Sequence, residues 1–391
     1  MSVFHSHLHS AVAILRSYNG NEPFHLYVKK YFSANKKFGS RDRKQITSLC
    51  YNYFRLGNAV KNFSVEERIV LATFLCGNRS SEFLKTIKPE WNDLAEKSIQ
   101  QKLSFVSSQF LIDDIFPYQN ELSESIDDEK FSLSFLVQPD LFLRVRPDNN
   151  KRVTGKLSGA GISYKLLNEN CIVLPNSSKI NEVIELDKEA VVQDYNSQRV
   201  AEFIQLKTTN HKLQTSVWDC CAASGGKSIM AYDINPNIEL TVSDKRESIL
   251  ENLKKRFATA GIKKYHSFVA DLLNGQAAFS APTGQFDLII CDAPCTGSGT
   301  WARTPEQLFY FKKDLIEKYA GLQKKILENI IPHIKPGGHL LYITCSVFKK
   351  ENEEVVKYVE EEFNLQLQKM EILKGYEMKA DTMFAALFIA A

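Results

Sequence analysis

The spacing of apolar residues predicts helices in the first third of the chain. In HSAVAILRSY, EPFHLYVKKYF and DRKQITSLCYNYFRL, apolar positions recur three and four residues apart, as on the buried face of a helix. The sequence FGSRDR predicts a loop and then a helix start, with Ser40 as the N-cap. Because no run alternates as a strand does, residues 1–118 predict an all-α domain.

The pattern changes after an acidic segment. Residues 119–130 contain NELSESIDDEK and predict a linker. The runs FSLSFLVQ, LFLRVRP, ISYKLL and CIVLP are short, partly alternating and broken by Asn, Pro and Gly. They predict a small mixed α/β module over 131–190, after which residues 191–206 return to a helical pattern.

In the last part, residues 191–391, strand patterns alternate with helical ones. TSVWDCC, IELTVSD, HSFVAD, FDLIICD and HLLYITCS predict strands, with helical segments between them and a closing strand, MFAALFIA. This order predicts an α/β fold with a doubly wound, mostly parallel sheet, whose ligands bind beyond the carboxyl ends of the strands. The chemically interesting residues follow those ends: Cys221–Lys227, Asp244, Asp271, Asp292 and Cys345.

Charge adds a candidate nucleic-acid surface. The net charge is only +3, but residues 26–62 carry nine Lys or Arg against one acid, with Tyr and Phe interleaved. Such a surface attracts phosphate, and aromatic rings can stack on bases. The alternative is a solvated helix face above aromatic side chains of the core, which we favour for the aromatic residues. The cations are Lys29, Lys30, Lys36, Lys37, Arg41, Arg43, Lys44, Arg55 and Lys61.

Several other classes are disfavoured. No apolar run reaches the roughly 18–20 residues of a membrane span, and the first residues do not resemble a signal peptide. The eight cysteines form neither a disulfide framework nor a CxxC pair, so no metal is expected. These features predict a cytoplasmic, monomeric enzyme.

A loop of small residues follows the first strand of the last part. CCAASGGKS lets a ligand approach backbone amides ahead of a helix N-terminus, but it has neither P-loop nor GxGxxG spacing. Asp244 stands where an acid can accept hydrogen bonds from ribose hydroxyls, and Asp271 where it can meet an adenine amino group. A nucleoside with a carboxylate tail fits this set, and S-adenosylmethionine is such a molecule.

Two cysteines follow two later strands, in Asp292-Ala-Pro-Cys295 and Thr344-Cys345-Ser346. A free cysteine is often only a small core residue, which suffices for Cys291. A thiolate beside a methyl donor, however, suits methylation at C5 of a pyrimidine, because thiolate addition at C6 makes C5 nucleophilic. Asp292, carrying or sharing a proton, would stabilise the ring near N3, and the target base must lie outside a helical stack.

These motifs resemble one family. QDYNSQ, CCAASGGKS, DAPCTGSGTWARTPEQL, ITCSVFKKENEEVV and DTMFAALF are similar, in order over roughly residues 140–391, to the RsmB/NSUN family of RNA 5-methylcytosine methyltransferases. The resemblance implies a Rossmann-like class I methyltransferase domain in which Cys345 is the nucleophile and Cys295 assists breakdown of the covalent adduct. The implied cofactor contacts are Cys221, Ala222, Ala223, Ser224, Gly225, Gly226, Lys227, Asp244, Asp271 and Asp292.

The resemblance extends to the other parts. FGSRDRK and the surrounding helices are similar to the NusB-like RNA-binding domain of the RsmB branch, which methylates small-subunit ribosomal RNA. The 131–190 module resembles the family's RRM-like segment. Three positions depart from the family pattern: Ser224 replaces a loop proline, Arg146 replaces an asparagine, and Thr382-Met383-Phe384 lacks a glycine before the aromatic ring.

Two other functions stay open. A non-catalytic RNA-binding protein could keep this fold, although Asp292, Cys295 and Cys345 are all present. A DNA cytosine methyltransferase also uses a Pro-Cys motif, but the basic helical domain and the cysteine of TCS disfavour it. Amino-directed methyltransferases typically carry [DNS]PP[YFW] instead. Near the two cysteine motifs, Arg303, Lys349 and Lys350 could contact RNA phosphates or be solvated surface cations.

Overall fold

The structure, a computed structural model, describes residues 2–106, 110–204, 215–273 and 284–391. Its helices are α1 (Val3–Ser17), α2 (Phe24–Ala34), α3 (Ser40–Arg55), α4 (Val65–Cys76), α5 (Glu82–Ile87), α6 (Pro89–Asn92), α7 (Ile99–Val106), α8 (Asp128–Ser134), α9 (Asn150–Gly159), α10 (Tyr195–Arg199), α11 (Gly226–Ile234), α12 (Glu247–Ala260), α13 (Glu306–Tyr310), α14 (Asp314–Ile330) and α15 (Glu353–Glu362). Its strands are β1 (Leu141–Val145), β2 (Lys165–Asn168), β3 (Cys171–Leu174), β4 (Ala190–Val192), β5 (Ser216–Asp219), β6 (Glu239–Asp244), β7 (His266–Val269), β8 (Phe286–Asp292), β9 (Ile334–Thr344), β10 (Leu365–Leu373) and β11 (Met383–Ala390).

The chain forms two compact units. The helical unit contains α1 to α8 and also takes in α13 from the last third of the sequence. The α/β unit contains both sheets. The helical unit comprises Met1–Leu122, Asp127–Gln138 and Thr300–Lys312, and the α/β unit comprises Ser123–Ile126, Pro139–Gly299 and Lys313–Ala391.

Helices alone make up the regular structure of the helical unit, in the part of it that the structure describes, as predicted. The predicted N-cap, Ser40, is instead the first residue of α3. Gly39 occupies the cap position and donates its N–H to the Asp42 carboxylate over 3.1 Å. No described helix is long and apolar enough to cross a membrane.

Residues 131–138, which we predicted to begin the α/β module with a strand-like run, are partly helical. The Asp127 carboxylate accepts a hydrogen bond from the Lys130 N–H and caps α8. Phe131 and Phe135, one turn apart, lie with ring centroids 5.3 Å from each other, and both contact Phe116. The cap and this aromatic cluster stabilise a helix instead of a strand. The first residues of the helix lie within the predicted acidic linker.

The smaller sheet of the α/β unit is antiparallel, in the order β2-β3-β1-β4. The segment 191–206, predicted as one helix, is broken: strand β4 comes first, then α10 and a short 3-10 turn, with residues 205 and 206 outside the described residues. Asp194 ends the strand and caps α10 by accepting from the Asn196 N–H. The likeness of this module to an RRM stays a prediction.

The larger sheet confirms the predicted Rossmann-like architecture. Its order is β10-β11-β9-β8-β5-β6-β7. Strands β9, β8, β5, β6 and β7 are parallel to one another, and β11 pairs antiparallel with both β9 and β10. Strand β10 is an element that the apolar pattern did not predict. Apolar side chains alternate between two buried clusters, one on each face, as Val217 and Trp218 of β5 do. The loops after β5, β6, β8 and β9 therefore meet at one edge of the sheet.

Candidate active site

The two cysteine motifs lie side by side. Strands β8 and β9 are parallel neighbours, with Asp292 opposite Ile343, so the loops that follow them emerge together. The backbone N–H of Cys345 donates a hydrogen bond to Cys295 Sγ over 3.3 Å. A hydrogen bond between the Cys345 and Cys295 side chains and the burial of Cys345 both raise the pKa of Cys345 well above the usual range, against the opposing charge of Lys227. At rest Cys345 is therefore a thiol.

A glycine joins three of the predicted motifs. Gly299 donates its N–H to the Cys345 carbonyl over 2.8 Å, and its own carbonyl accepts from the Thr382 N–H over 2.9 Å. A Cβ at this position would lie 1.9 Å from the Thr382 carbonyl oxygen. Only glycine allows the backbones of the DAPC loop, the TCS loop and the DTMF segment to approach this closely.

A buried carboxylate, Glu351, ties the two cysteine loops together. It accepts hydrogen bonds from the Thr296 N–H at 2.9 Å, the Thr296 hydroxyl at 2.5 Å and the Ser346 hydroxyl at 2.6 Å. The Gln323 amide donates a further bond over 3.0 Å. Burial raises the pKa of Glu351, while these donors oppose the rise. These hydrogen bonds hold the loop after β8 and the loop after β9 in place relative to each other.

Asp292 and Lys227 form an ion pair across the sheet edge. Lys227 Nζ lies 3.0 Å from Asp292 Oδ2 and 2.8 Å from the Ser197 hydroxyl. Burial lowers the pKa of Lys227, but the charges of Asp292 and Cys345 outweigh burial, and the net pKa is raised. A lysine cation therefore lies beside Asp292 and provides a proton that the two side chains can share.

The loop between β5 and α11 is strongly bent. Ala223 and Gly225 both have positive φ, 46° and 85°. A Cβ at Gly225 would lie 2.8 Å from the Phe257 ring, whereas one at Gly226 would meet nothing within 4 Å. Gly225 is thus required by both conformation and packing, and Gly226 is not.

Ser224, the departure from the family's proline, is held by a side chain. Arg256 donates to the Ser224 hydroxyl over 2.9 Å and to its carbonyl over 2.8 Å. The same guanidinium pairs with Asp187 at 2.6 Å. Arg146, the second departure, is buried and bonds to Asp233 and to the Ala260 carbonyl. Both departures therefore support the fold of the α/β unit.

The two carboxylates predicted to contact a nucleoside both face the sheet edge. Asp244 accepts from the Ala223 N–H over 3.1 Å and pairs with Arg246. Asp271 pairs with Lys245 over 2.8 Å, and the hydrogen bond from Lys245 lowers the pKa of Asp271. The ion pair with Lys245 thereby keeps Asp271 as a hydrogen-bond acceptor.

Two cavities meet at Asp292. The first, about 400 Å³, has apolar walls and both nucleoside-site carboxylates. The second, about 300 Å³, is lined by Lys227, Cys345 and Asp381 among others. Cys221, Ala223 and Asp292 line both cavities. Of the predicted residues, Gly225 lines neither cavity, and Cys295 reaches the site through its contact with Cys345. The first cavity is lined by Cys220, Cys221, Ala223, Asp244, Lys245, Arg246, Ala270, Asp271, Leu272, Leu273, Asp292, Pro294, Leu322 and Ile326.

Sequence reasoning missed several residues of this site. Glu351 is hidden in the charged run KKENEE, which is typical of a solvated surface. Gln323 carried a signal that could have been read, since it is a polar residue on the buried face of α14 between Ala320 and Leu327. Asp219 lies at the end of a strand and lines the second cavity.

The cations predicted to contact RNA differ in their exposure to solvent. Seven of the nine in residues 26–62 are exposed. Arg55 is wrong as a phosphate contact, because it is 3% exposed and donates to the carbonyls of Phe135, Val137 and Ala302 within the helical unit. Lys350 pairs with Glu317 at 2.5 Å.

Comparison with known proteins agrees with this geometry. Residues 178–387 match the family described as 16S rRNA methyltransferase RsmB/F. The ribosomal RNA small subunit methyltransferase B of Xanthomonas campestris is 32% identical over 167 residues, 42% of this chain and 37% of that protein. The corresponding protein of Cronobacter sakazakii is 29% identical over 237 residues, 56% and 51% of the two chains. The matches thus span about a third to a half of the length of these relatives.

Solved structures share the fold. The crystal structure of PH0851 covers 99% of both chains with a TM-score of 0.70 at 18% identity. NSun6 from Pyrococcus horikoshii, solved with SFG, matches 70% of this chain and 96% of its own with a TM-score of 0.59 at 14% identity.

Proposed function

The chain belongs to the RsmB/F family of 16S rRNA methyltransferases, and on this premise we propose that it methylates C5 of a cytosine in RNA. The donor is S-adenosylmethionine, and the substrate class is small-subunit ribosomal RNA. One observation carries the C5 assignment: Cys345 lines a cavity that shares Asp292 with a nucleoside-sized one, and its backbone N–H donates a hydrogen bond to the sulfur of Cys295.

The first cavity fits the cofactor. Its volume, about 400 Å³, and its apolar residues Ala270, Leu272 and Ile326 suit an adenine ring. Asp244 would accept the ribose hydroxyls, and Asp271 would accept the adenine amino group. When bound, S-adenosylmethionine supplies the methyl group that C5 acquires.

The second cavity receives the target base. Cys345 loses its proton and forms a bond from sulfur to C6 of the cytosine, and the electron pair of the C5–C6 bond moves to C5. Because Cys345 rests as a thiol, a base must take that proton, and Asp292 is a carboxylate of the same cavity. Once Asp292 carries that proton, it and the Lys227 ammonium 3.0 Å away stabilise the negative charge that develops on the ring near N3.

Release requires a second proton transfer. After C5 carries the methyl group, a base, the role assigned to Cys295, takes the remaining C5 hydrogen as a proton. The electron pair of that C–H bond re-forms the C5–C6 double bond, and the electron pair of the bond from Cys345 to C6 leaves with the sulfur. Cys295 assists this elimination, since its sulfur lies against the Cys345 backbone. The cavity admits the base only when it is outside a helical stack, so the substrate is a flipped or single-stranded cytosine.

The helical unit binds the RNA backbone. The exposed cations of residues 26–62 provide the charge, and the NusB-like and RRM-like parts contribute to substrate choice. The enzyme acts as a monomer and needs no metal for catalysis.

Labelled methyl transfer tests this function. The full chain, S-adenosylmethionine with a labelled methyl group and small-subunit ribosomal RNA should yield labelled RNA, and bisulfite sequencing should place the mark on a cytosine. A DNA duplex of the same sequence serves as the control substrate. Label found on adenine or on an exocyclic amino group, or equal transfer to DNA, would contradict the proposal.

A further inference from the structure

Three thiols cluster behind the candidate cofactor loop. The sulfur atoms of Cys220, Cys221 and Cys291 all lie within 4.8 Å of one another. Cys220 and Cys291 are buried, and Cys221 lines both cavities. The proposed methyl transfer uses neither buried thiol, and both positions could be filled by an ordinary apolar residue.

The backbone explains why the three sulfurs converge. The Cys220 N–H donates to the Ile290 carbonyl over 3.0 Å, continuing the parallel pairing of β5 with β8. Cys220 and Cys291 therefore lie on neighbouring strands, and both point into the same buried cluster as Trp218. Cys221 follows at the strand end and lines the cavities, so two thiols of the cluster are held by the sheet and the third lies at the sheet edge.

The geometry suits a thiophilic metal ion. With zinc–sulfur bonds of about 2.3 Å, tetrahedral coordination places sulfurs about 3.8 Å apart, which lies within the 4.8 Å that bounds the sulfur separations in this cluster. Sites with three protein ligands keep a fourth position for water. Here Cys221 is the one of the three cysteines that lines both cavities. Three thiolates around a divalent ion leave one net negative charge, whereas three around a monovalent ion leave two. Because a buried net charge is costly, the site favours a divalent ion.

We propose that Cys220, Cys221 and Cys291 form a binding site for Zn²⁺. Binding releases the thiol protons, because only thiolates are ligands. The catalytic thiol Cys345 is not part of the cluster.

The site is linked to the loop that follows β5. Cys221 lines the first cavity, so a metal ion that fixes its side chain changes the affinity for any ligand there, and that ligand changes the affinity for metal by the same factor. This linkage rests on the proposed function, whereas metal binding itself does not. An S-adenosylhomocysteine titration with and without Zn²⁺ separates the two.

The test begins with removal of the competing thiol pair. The full chain carrying Cys295→Ala and Cys345→Ala is titrated with Cd²⁺, and the ultraviolet thiolate-to-metal charge-transfer band is followed. We expect saturation at one equivalent, and X-ray absorption of the Zn²⁺-loaded protein should show three sulfur ligands at about 2.3 Å.

Ligand variants in the same background locate the site. Cys220→Ala and Cys291→Val should each weaken metal binding more than roughly tenfold. Loss of a residue that only hydrogen-bonds to a metal ligand already costs about that much. Cys171→Ala, a buried cysteine outside the cluster, is the matched control. Undiminished binding in both ligand variants, or fewer than three sulfurs around Zn²⁺, would overturn the proposal. The absorption measurement decides even if a variant fails to fold.

Discussion

The backbone N–H of Cys345 donates a hydrogen bond to the sulfur of Cys295 over 3.3 Å. This bond joins the first residue after β9 to the loop after β8. The Cys345 carbonyl also accepts from the Gly299 N–H. Glu351 accepts from Thr296 and Ser346, the residues that follow the two cysteines. The position of each sulfur therefore depends on contacts of the neighbouring residues as well.

Glu351 should be essential for holding the two loops. Glu351→Ala leaves the hydroxyls of Thr296 and Ser346 without their acceptor, and hydrogen bonds to a charged group contribute about 1.5–3 kcal/mol each. We expect the free energy of unfolding to fall by about 3 kcal/mol or more in urea titrations. Glu360→Ala, an exposed neighbour on α15, should change it by less than about 0.5 kcal/mol. Equal effects would contradict the assigned role.

The close approach at Gly299 predicts intolerance of a methyl group. Gly299→Ala places Cβ 1.9 Å from the Thr382 carbonyl oxygen, and overpacking against backbone costs about 1–3 kcal/mol or more. Gly321→Ala is the matched control, because a Cβ there meets nothing within 4 Å and alanine favours a helix by about 0.5–1 kcal/mol. Thermal unfolding should show a lower Tm for the first variant only.

Asp219 predicts a pH dependence of stability. Burial raises its pKa to about 7; Asp292 and Cys221 add to the rise, while the Ser228 hydroxyl and Lys227 oppose it. Between the unfolded pKa of about 3.9 and pH 7, the folded state holds a proton that the unfolded state has lost. This carboxyl therefore makes stability fall as pH rises through that window, by a few kcal/mol at most.

Asp219→Asn removes this titration. Unfolding measured from pH 4 to 8 should show that the stability difference between variant and wild type shifts in favour of the variant up to about pH 7 and is constant above. A constant difference over the whole range would mean that Asp219 is ionised in the folded protein.

The basic surface predicts salt-dependent RNA binding. Lys36 and Lys37 are exposed, and each lost phosphate contact should reduce the slope of log K against log salt by about 0.7–0.9. Replacing both with alanine should therefore lower the slope by up to about 1.8. Lys357→Ala, an exposed cation of α15, should leave it unchanged. A salt-insensitive affinity of the wild type would remove the role of this surface.

The strand and helix alternation predicted the larger sheet because each buried strand there is a continuous apolar run that ends at a polar residue. Strand β10 was missed since LQLQKMEIL is half polar, and only its pairing with β11 defines it. The N-cap of helix α8, Asp127, is a local signal that the sequence carried. Helix α8 was misread because the packing of its aromatic residues on Phe116 is a tertiary contact. The comparisons confirm the family resemblance that the motifs suggested.

The site shows the same division. Motif positions such as Asp292, Cys295 and Cys345 could be named from the sequence because they follow strands. The role of Glu351 could not be predicted from the sequence. Nor could the hydrogen bond from Arg256 to Ser224, which holds the loop where the family has a proline. Each depends on residues far apart in the chain whose side chains meet only in the folded α/β unit.

The central claim is that Cys345 attacks the base and Cys295 frees it. The most direct measurement is the amount of protein–RNA adduct that survives denaturant on a gel, for Cys295→Ala and Cys345→Ala side by side with S-adenosylmethionine and small-subunit ribosomal RNA. We predict an accumulating adduct with Cys295→Ala and none with Cys345→Ala, which should also lose methyl transfer. An adduct formed by Cys345→Ala, or near-normal turnover of that variant, would contradict the account.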